Sequence, residues 1–401
     1  MVTFLLLQIL FWLALFALLH TYLFYPIWLQ LKGERLEPYL PPDVPEEDLP
    51  RVSILMSVYN EETVLEEKLE SLLGLNYPSD KLRIWIGSDA SSDQTNDLLK
   101  KWQPRLPGLT IQLFSERRGK PSVINDLALA AAQYWPIHSD HLFLLTDANV
   151  MLEPSTLYRL ARHFQDPKIG LVDAHMVNTG VQSAGISRSE QTYISREVQV
   201  KHWEGRLWGT MIGPFGGCFL LRSSLFSAVP ANYLVDDFYM AMRVFEQGGK
   251  AINDLEAYCY EQVPQEIQIE FRRKARISAG NFQNLATFRS LWWPPTGNLG
   301  FAFFSHKVLR WLGPFFLLVC LLASGLLASM GNLFFQGMFL LQAVLILGIP
   351  ILDRLFQLLG VHALLLRGIR YFVMMNLALL VGFFRFLRGI RKGTWEPTKR
   401  S

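Results

Sequence analysis

Two long apolar runs enclose a polar stretch whose hydrophobic positions recur first with the period of strands and then with that of helices. Residues 2–31 contain no Asp, Glu, Lys or Arg, only His20 and a few neutral polar groups. A bilayer-crossing helix needs about 20 apolar residues. The run is too long for a signal-peptide core and lacks a basic leader and a persuasive small-residue cleavage site, so it reads as a retained anchor rather than a cleaved signal. Residues 33–50 follow with Pro38, Pro41, Pro42, Pro45, Pro50 and several acids, a stiff extended linker.

From Arg51 the pattern becomes that of a globular domain. Residues 51–59 read as a buried strand, and Val64, Leu65, Leu69, Leu72 and Leu73 predict a helix over 61–73. Further strands are predicted over 82–87, 110–114 and 141–146, with helices over 94–102, 122–134 and 154–164. This alternation predicts an α/β fold, a mainly parallel sheet covered by helices. Such sheets bind ligands at the carboxyl ends of their strands. Asp89 and Asp147 both fall at that end.

The chain turns apolar again near residue 308. Candidate spans lie over 306–330, 332–352 and 369–387, with Gly331-Asn332 as a tight turn between the first two. Asp353-Arg354 interrupts the run, and 355–366 suits a helix lying in the membrane interface. If the polar domain is cytosolic and all three segments cross, the basic tail ends outside, against the positive-inside tendency. One of them is therefore expected to lie in the interface. The predicted organisation is an anchor over 1–32, a linker over 33–50, a catalytic-type domain over 51–285, a membrane region with interfacial helices over 286–390 and a basic tail over 391–401.

Composition agrees with this division. Of the 401 residues half are hydrophobic and only 18% charged, low for a soluble protein. The net charge of +3 says little about partners. Its late basic residues (Arg367, Arg370, Arg385, Arg388, Arg391, Lys392, Lys399 and Arg400) are placed as in segments facing the cytoplasm and anionic lipid. No basic stripe interleaved with aromatics appears in the polar domain, so nucleic acid is not an expected partner. Cys218, Cys259 and Cys320 form neither a disulfide framework nor a zinc pattern, which is compatible with a reducing compartment.

Four charged elements carry the candidate chemistry. Asp147, with Asn149 on the same side of a turn, suits Mg2+ or Mn2+, which prefer carboxylate, phosphate and water oxygens. Asp89 suits nucleoside or ribose recognition by accepting hydrogen bonds. Either Asp could instead be only a helix cap or turn residue. Asp236-Asp237 open a helical pattern and offer either a general base or a complement to the helix dipole. Arg272, Arg273, Lys274 and Arg276 could neutralise a leaving diphosphate or meet lipid headgroups. Arg117-Arg118-Gly119-Lys120 is a solvated turn or a set of cations near a nucleotide, and Gly213-Pro-Phe-Gly-Gly-Cys218 gives backbone freedom of the kind used close to a ligand.

The order of these elements resembles the family 2 glycosyltransferases of GT-A fold, in the membrane-embedded branch that includes cellulose, chitin, hyaluronan and poly-N-acetylglucosamine synthases and the ceramide glucosyltransferases. The resemblance runs from Arg51 to about Gly280 and takes in the flanking spans. It implies that Tyr59, Asn60 and Glu61 lie in the turn that contacts the nucleobase, and that Asp89, Lys120, Asp147, Arg273 and Arg276 bind a nucleotide-sugar. It further implies a metal on Asp147 and Asn149, and Asp237 as the base. Asn149 stands where the family's Asp-x-Asp has its second Asp, Arg273 where Gln-x-x-Arg-Trp has Gln, and Ile277 where it has Trp. The Trp would contact an acceptor sugar in polymerising relatives.

The resemblance therefore implies a membrane-bound inverting transferase, moving sugar from a UDP-sugar to a polysaccharide or lipid acceptor at the cytoplasmic face of a multi-pass cell-membrane protein. Its partners would be the donor, the acceptor and membrane lipids, with export or polymerisation partners unspecified. Alternatives are a glycolipid-forming transferase of single sugars, a sugar nucleotidyltransferase and a non-catalytic membrane module.

Overall fold

The computed structural model describes residues 1–401 except 38, 136–139, 180–186, 263–266, 362, 392 and 394–401. Pro38 and most of the expected basic tail, including Lys392, Lys399 and Arg400, therefore lie outside the described residues. The chain forms two compact units: a helical one of residues 1–31, 181–196 and 264–389, and a sheet-bearing one of residues 32–180, 197–263 and 390–401.

The sheet unit has eight strands: β1 Arg51–Val58, β2 Leu82–Asp89, β3 Leu109–Phe114, β4 His141–Thr146, β5 Val150–Leu152, β6 Ile169–Thr179, β7 Cys218–Arg222 and β8 Lys250–Gln262. Their order is β3-β2-β1-β4-β7-β6-β8-β5. β3, β2, β1 and β4 run parallel to one another, as the strand–helix alternation predicts. Beyond β4 the sheet is mixed: β7 is antiparallel to β4 and β6, β8 is parallel to β6, and β5 is antiparallel to β8. Val52, Ile54, Met56 and Val58 in β1 are buried, as are Leu142 and Leu144 in β4. Parallel strands covered on both faces read as continuous apolar runs, and this is why the sequence located them.

The pairing sets the site. β1 and β2 run in register to Val58 opposite Ser88, and β4 ends beside them on Thr146. β7 runs the other way, with Cys218 opposite Thr146, so the segment before it, Gly213–Gly217, arrives at the carboxyl ends of the parallel strands. The helix expected over 61–73 begins at Leu65. The Glu61 and Glu62 amides donate instead to Thr95 Oγ1 at 2.9 Å and Asp93 Oδ2 at 3.1 Å, which holds the preceding turn open.

In the helical unit the expected span over 306–330 is broken, with Gly297–Trp311 and Gly313–Ser329 meeting at 60°. Pro314 stands in the first turn of the second piece and has no amide to continue the ladder. The expected division into a span over 332–352 and an interfacial helix over 355–366 is corrected. One helix runs Leu333–Leu358 and the next Leu364–Leu387. Asp353 does not interrupt the helix because it is turned inward, fully buried, with Oδ2 3.1 Å from Arg370 Nε. Asn332 caps the helix as its turn predicts, Oδ1 accepting from the Phe335 amide at 3.2 Å. Among the described residues three helices are long and apolar enough to cross a membrane, or four if the bent pair is one span.

Gly87, near the end of β2, lets the helix Lys120–Tyr134 lie against the sheet: a Cβ there would come within 2.3 Å of Val123 Cγ1. Gly87→Ala is expected to lower stability by about 1–3 kcal/mol through overpacking. Gly74→Ala, where a Cβ meets only ordinary contacts, should cost much less. Thermal unfolding of the two variants in detergent checks the difference.

Candidate active site

A cleft opens at the carboxyl edge of β1, β2 and β4, lined by Ser57, Tyr59 and Glu61, by Asp89, by Arg117, Gly119 and Lys120, by Asp147, Ala148 and Asn149, and by Gly393. On one wall the Arg117 guanidinium lies 3.6 Å from the centroid of the Tyr59 ring, a cation–π stack offering a flat surface. Glu61 lines the cavity with its side chain almost wholly buried. Asn60, predicted beside it, is not in the lining. Its left-handed backbone (φ 52°) directs Oδ1 to the Ser92 amide at 2.8 Å, so it ties the turn after β1 to the turn after β2.

Asp89 is in the lining but its carboxylate faces the protein. Oδ1 accepts from the Arg118 amide at 2.6 Å and Oδ2 from the Gly119 amide at 2.8 Å. It thereby folds the Arg117–Gly119 loop across the cavity and delivers Lys120 at the start of the helix Lys120–Tyr134. Asn125 fastens the same helix elsewhere, exchanging hydrogen bonds with the Val229 backbone at 2.8 and 3.0 Å.

Lys120 is the centre of charge. Its Nζ is 2.6 Å from Asp147 Oδ1 and 3.7 Å from Asp236 Oδ2. Burial pulls its pKa down, but Asp147, Asp236 and Asp237 more than compensate and raise it, so the ammonium stays charged. Asp237 responds oppositely. Burial and the neighbouring Asp236 push its carboxyl up to about 7, against the pull of Lys120. Gly216 (φ 82°) lies against it, and a Cβ there would stand 2.3 Å from Asp237 Oδ2. Only glycine fits both that backbone and that contact.

Asp147 is about one-third exposed in the lining. Asn149 donates through Nδ2 to Glu261 Oε1 at 2.8 Å, which fixes its amide. Among the described residues no three His, Cys, Asp or Glu side chains converge as a metal cage. Mg2+ and Mn2+ do not need one, since they combine one or two carboxylates with waters and substrate phosphates. Asp147, with Asn149 beside it, fits that requirement.

Arg273 and Arg276 belong to the helical unit, on the helix Ile267–Thr287. There Arg273 Nη1 and Lys274 Nζ lie 3.7 and 3.2 Å from the buried Glu270.

Two features escaped the sequence reading. The chain returns at Ile390 and Gly393, where the buried Gly393 donates its amide to Ala231 O at 3.1 Å and the Ile390 carbonyl accepts from Asn232 Nδ2 at 3.2 Å. Nothing in the residue pattern announces this. The second is Lys68, fully buried, with Nζ donating to Thr146 Oγ1 at 2.8 Å and to the Val150 carbonyl at 2.5 Å. Burial draws its pKa down to about 8. Here a signal existed, because Lys68 stands on the apolar stripe of Leu65, Leu69 and Leu72.

Comparison with known proteins agrees with this geometry. The family model "Glycosyl transferase family 2" matches residues 53–229 and "Glycosyl transferase family group 2" matches 142–386. A probable glycosyltransferase YdaM of Bacillus subtilis is 23% identical over 248 residues, 58% of this chain and 56% of that protein. The poly-beta-1,6-N-acetyl-D-glucosamine synthase of Staphylococcus aureus is 31% identical over 132 residues, 33% of this chain and 30% of that protein. The chain thus matches about half or less of the length of these relatives. The mannosyltransferase PcManGT of Pyrobaculum calidifontis, solved with GDP-Man and Mn2+, superposes with a TM-score of 0.67 at 20% identity, covering 94% of this chain and 99% of its own. That likeness makes the sheet unit a GT-A fold. With a family model across more than half its length, the chain belongs to the family 2 group of glycosyltransferases.

Proposed function

We propose that this glycosyltransferase works with inversion at the cytoplasmic face of a membrane, moving a sugar from a UDP-sugar to a saccharide or lipid acceptor, with Asp237 as general base. The observation that carries the reading is the cluster of Lys120, Asp147, Asp236 and Asp237 at the carboxyl edge of the sheet. The donor's base would lie against the Tyr59–Arg117 stack, and its diphosphate would meet Lys120 at the amino end of its helix, where the helix dipole favours anions. Arg273 and Arg276 are the further cations proposed for the diphosphate. Mg2+ or Mn2+ held by Asp147 and Asn149 would supply charge neutralisation to the departing diphosphate.

Asp237 takes the proton from an acceptor hydroxyl as the oxygen attacks the anomeric carbon. The bond from that carbon to the diphosphate oxygen breaks, and the diphosphate leaves with the bonding electron pair. A single in-line displacement inverts the configuration. The apolar helices of the other unit support a multi-pass membrane location, and the abundance of Arg and Lys over Asp and Glu in that unit suits anionic headgroups. Ile277 in place of Trp favours transfer of single sugars over chain extension.

Purified protein in detergent, offered a panel of nucleotide-sugars, is expected to hydrolyse a UDP-sugar in Mn2+ or Mg2+ and to stop on addition of EDTA. Hydrolysis of GDP-sugars alone would overturn the UDP assignment, and turnover unaffected by EDTA would overturn the metal. A polymeric product would reject single transfer.

Asp237→Asn should lower kcat by about 10²- to 10⁴-fold, the usual contribution of a general base, with folding intact. Near wild-type turnover would exclude the role. Because the base works deprotonated, wild-type kcat/KM should climb with pH through about 7. Stability should move the other way. A carboxyl whose folded pKa lies above its unfolded value of about 3.9 destabilises the fold progressively as pH rises between the two values. Asp237→Asn is thus expected to raise the thermal midpoint at pH 8 relative to wild type, with the gain vanishing as pH falls toward 4.

A further inference from the structure

The turn joining β4 to β5 carries Asp147 and Asn149, and the buried ammonium of Lys68 spans its two ends. Nζ donates to Thr146 Oγ1 before Asp147 and to the Val150 carbonyl after Asn149. The Thr146 hydroxyl has one hydrogen, which it gives to the Gly217 carbonyl at 3.0 Å, and the Asp147 amide donates to the same carbonyl at 3.2 Å. The chain of donors therefore runs from Lys68 through Thr146 to Gly217. Gly217 adjoins Gly216, the residue packed against Asp237. One side chain thus joins both ends of the turn bearing Asp147 to the segment that braces Asp237.

Plain packing does not account for a lysine there. Lys68 is wholly buried beside Leu65, Leu69 and Leu72, and its two hydrogen-bond acceptors are neutral. Taking an ammonium out of water costs several kcal/mol, and an apolar side chain of similar volume is often neutral or stabilising in such a position. A buried cation kept at that cost has to act on something other than the core. The nearest candidate is the turn it spans.

We propose that Lys68 is a positioning residue that holds the Asp147–Asn149 turn in metal-binding geometry and in register with Asp237. The inference rests on the reading that Asp147 holds the divalent cation. Lys68 touches neither donor nor acceptor, and acts through Thr146, Val150 and Gly217.

The test reads Mn2+ binding directly, by calorimetry or by the electron paramagnetic resonance signal of free Mn2+, with UDP present and no turnover. Lys68→Met is expected to weaken Mn2+ binding by about 10- to 100-fold, as loss of a residue orienting metal ligands does, while its thermal midpoint stays near that of wild type. Thr146→Val keeps the lysine but removes the oxygen between it and Gly217, and should weaken Mn2+ similarly. The double variant should lose little more than either single one, since both cut one chain. If Lys68→Met does not fold, Thr146→Val decides. Wild-type Mn2+ affinity in either folded variant overturns the inference, as does a loss that is simply additive. Wild-type protein that takes up no Mn2+ with UDP overturns the metal reading itself, and the inference with it.

Discussion

A single ammonium, that of Lys120, makes it possible for Asp147, Asp236 and Asp237 to lie close together. Three carboxylates brought together in a partly dehydrated place repel one another, and each would otherwise hold a proton or swing away. Lys120 offsets much of that repulsion, yet it is a flexible side chain reaching in from a helix terminus. The glycine at 216 and the inward-facing carboxylate of Asp89 matter because they place the groups that Lys120 balances.

That placement follows from the switch in strand direction. Parallel strands alone would bring Tyr59, Asp89 and Asp147 to one edge but would offer nothing to face them. β7, inserted antiparallel beside β4, brings the Gly213–Gly217 segment to the same edge, and this segment packs on the start of the helix that bears Asp236 and Asp237. A mixed sheet therefore brings Asp147 and the glycine segment against Asp237 to one edge from neighbouring strands.

The edge bearing Tyr59, Asp89 and Asp147 was largely legible in the sequence. Buried parallel strands announce themselves as apolar runs, so β1, β2 and β4 and the acids that follow them could be placed by position alone. What each acid does could not. That the two oxygens of Asp89 hold the Arg118 and Gly119 amides could not be read, because hydrogen bonds to loop backbone leave no residue pattern. Asp353 reads as a break in an apolar run because its partner, Arg370, is seventeen positions away and on another helix. Lys68 looks like one more charged residue of an amphipathic helix. Only its place on the apolar stripe distinguishes it, and that becomes meaningful once Thr146 and Val150 are found above it.

The adjacent acids Asp236 and Asp237 show how one helix start can yield two different carboxylates. Asp236 lies 3.7 Å from the Lys120 ammonium, so its charge is partly answered. Asp237 faces Gly216 and feels the charge of Asp236 in addition to its own burial, which together raise it to about 7. A carboxylate with an ordinary pKa is a feeble acceptor for a hydroxyl proton, whereas one near the working pH is both available and basic enough to hold it. The neighbour's charge thus does for Asp237 what a different residue type would do elsewhere.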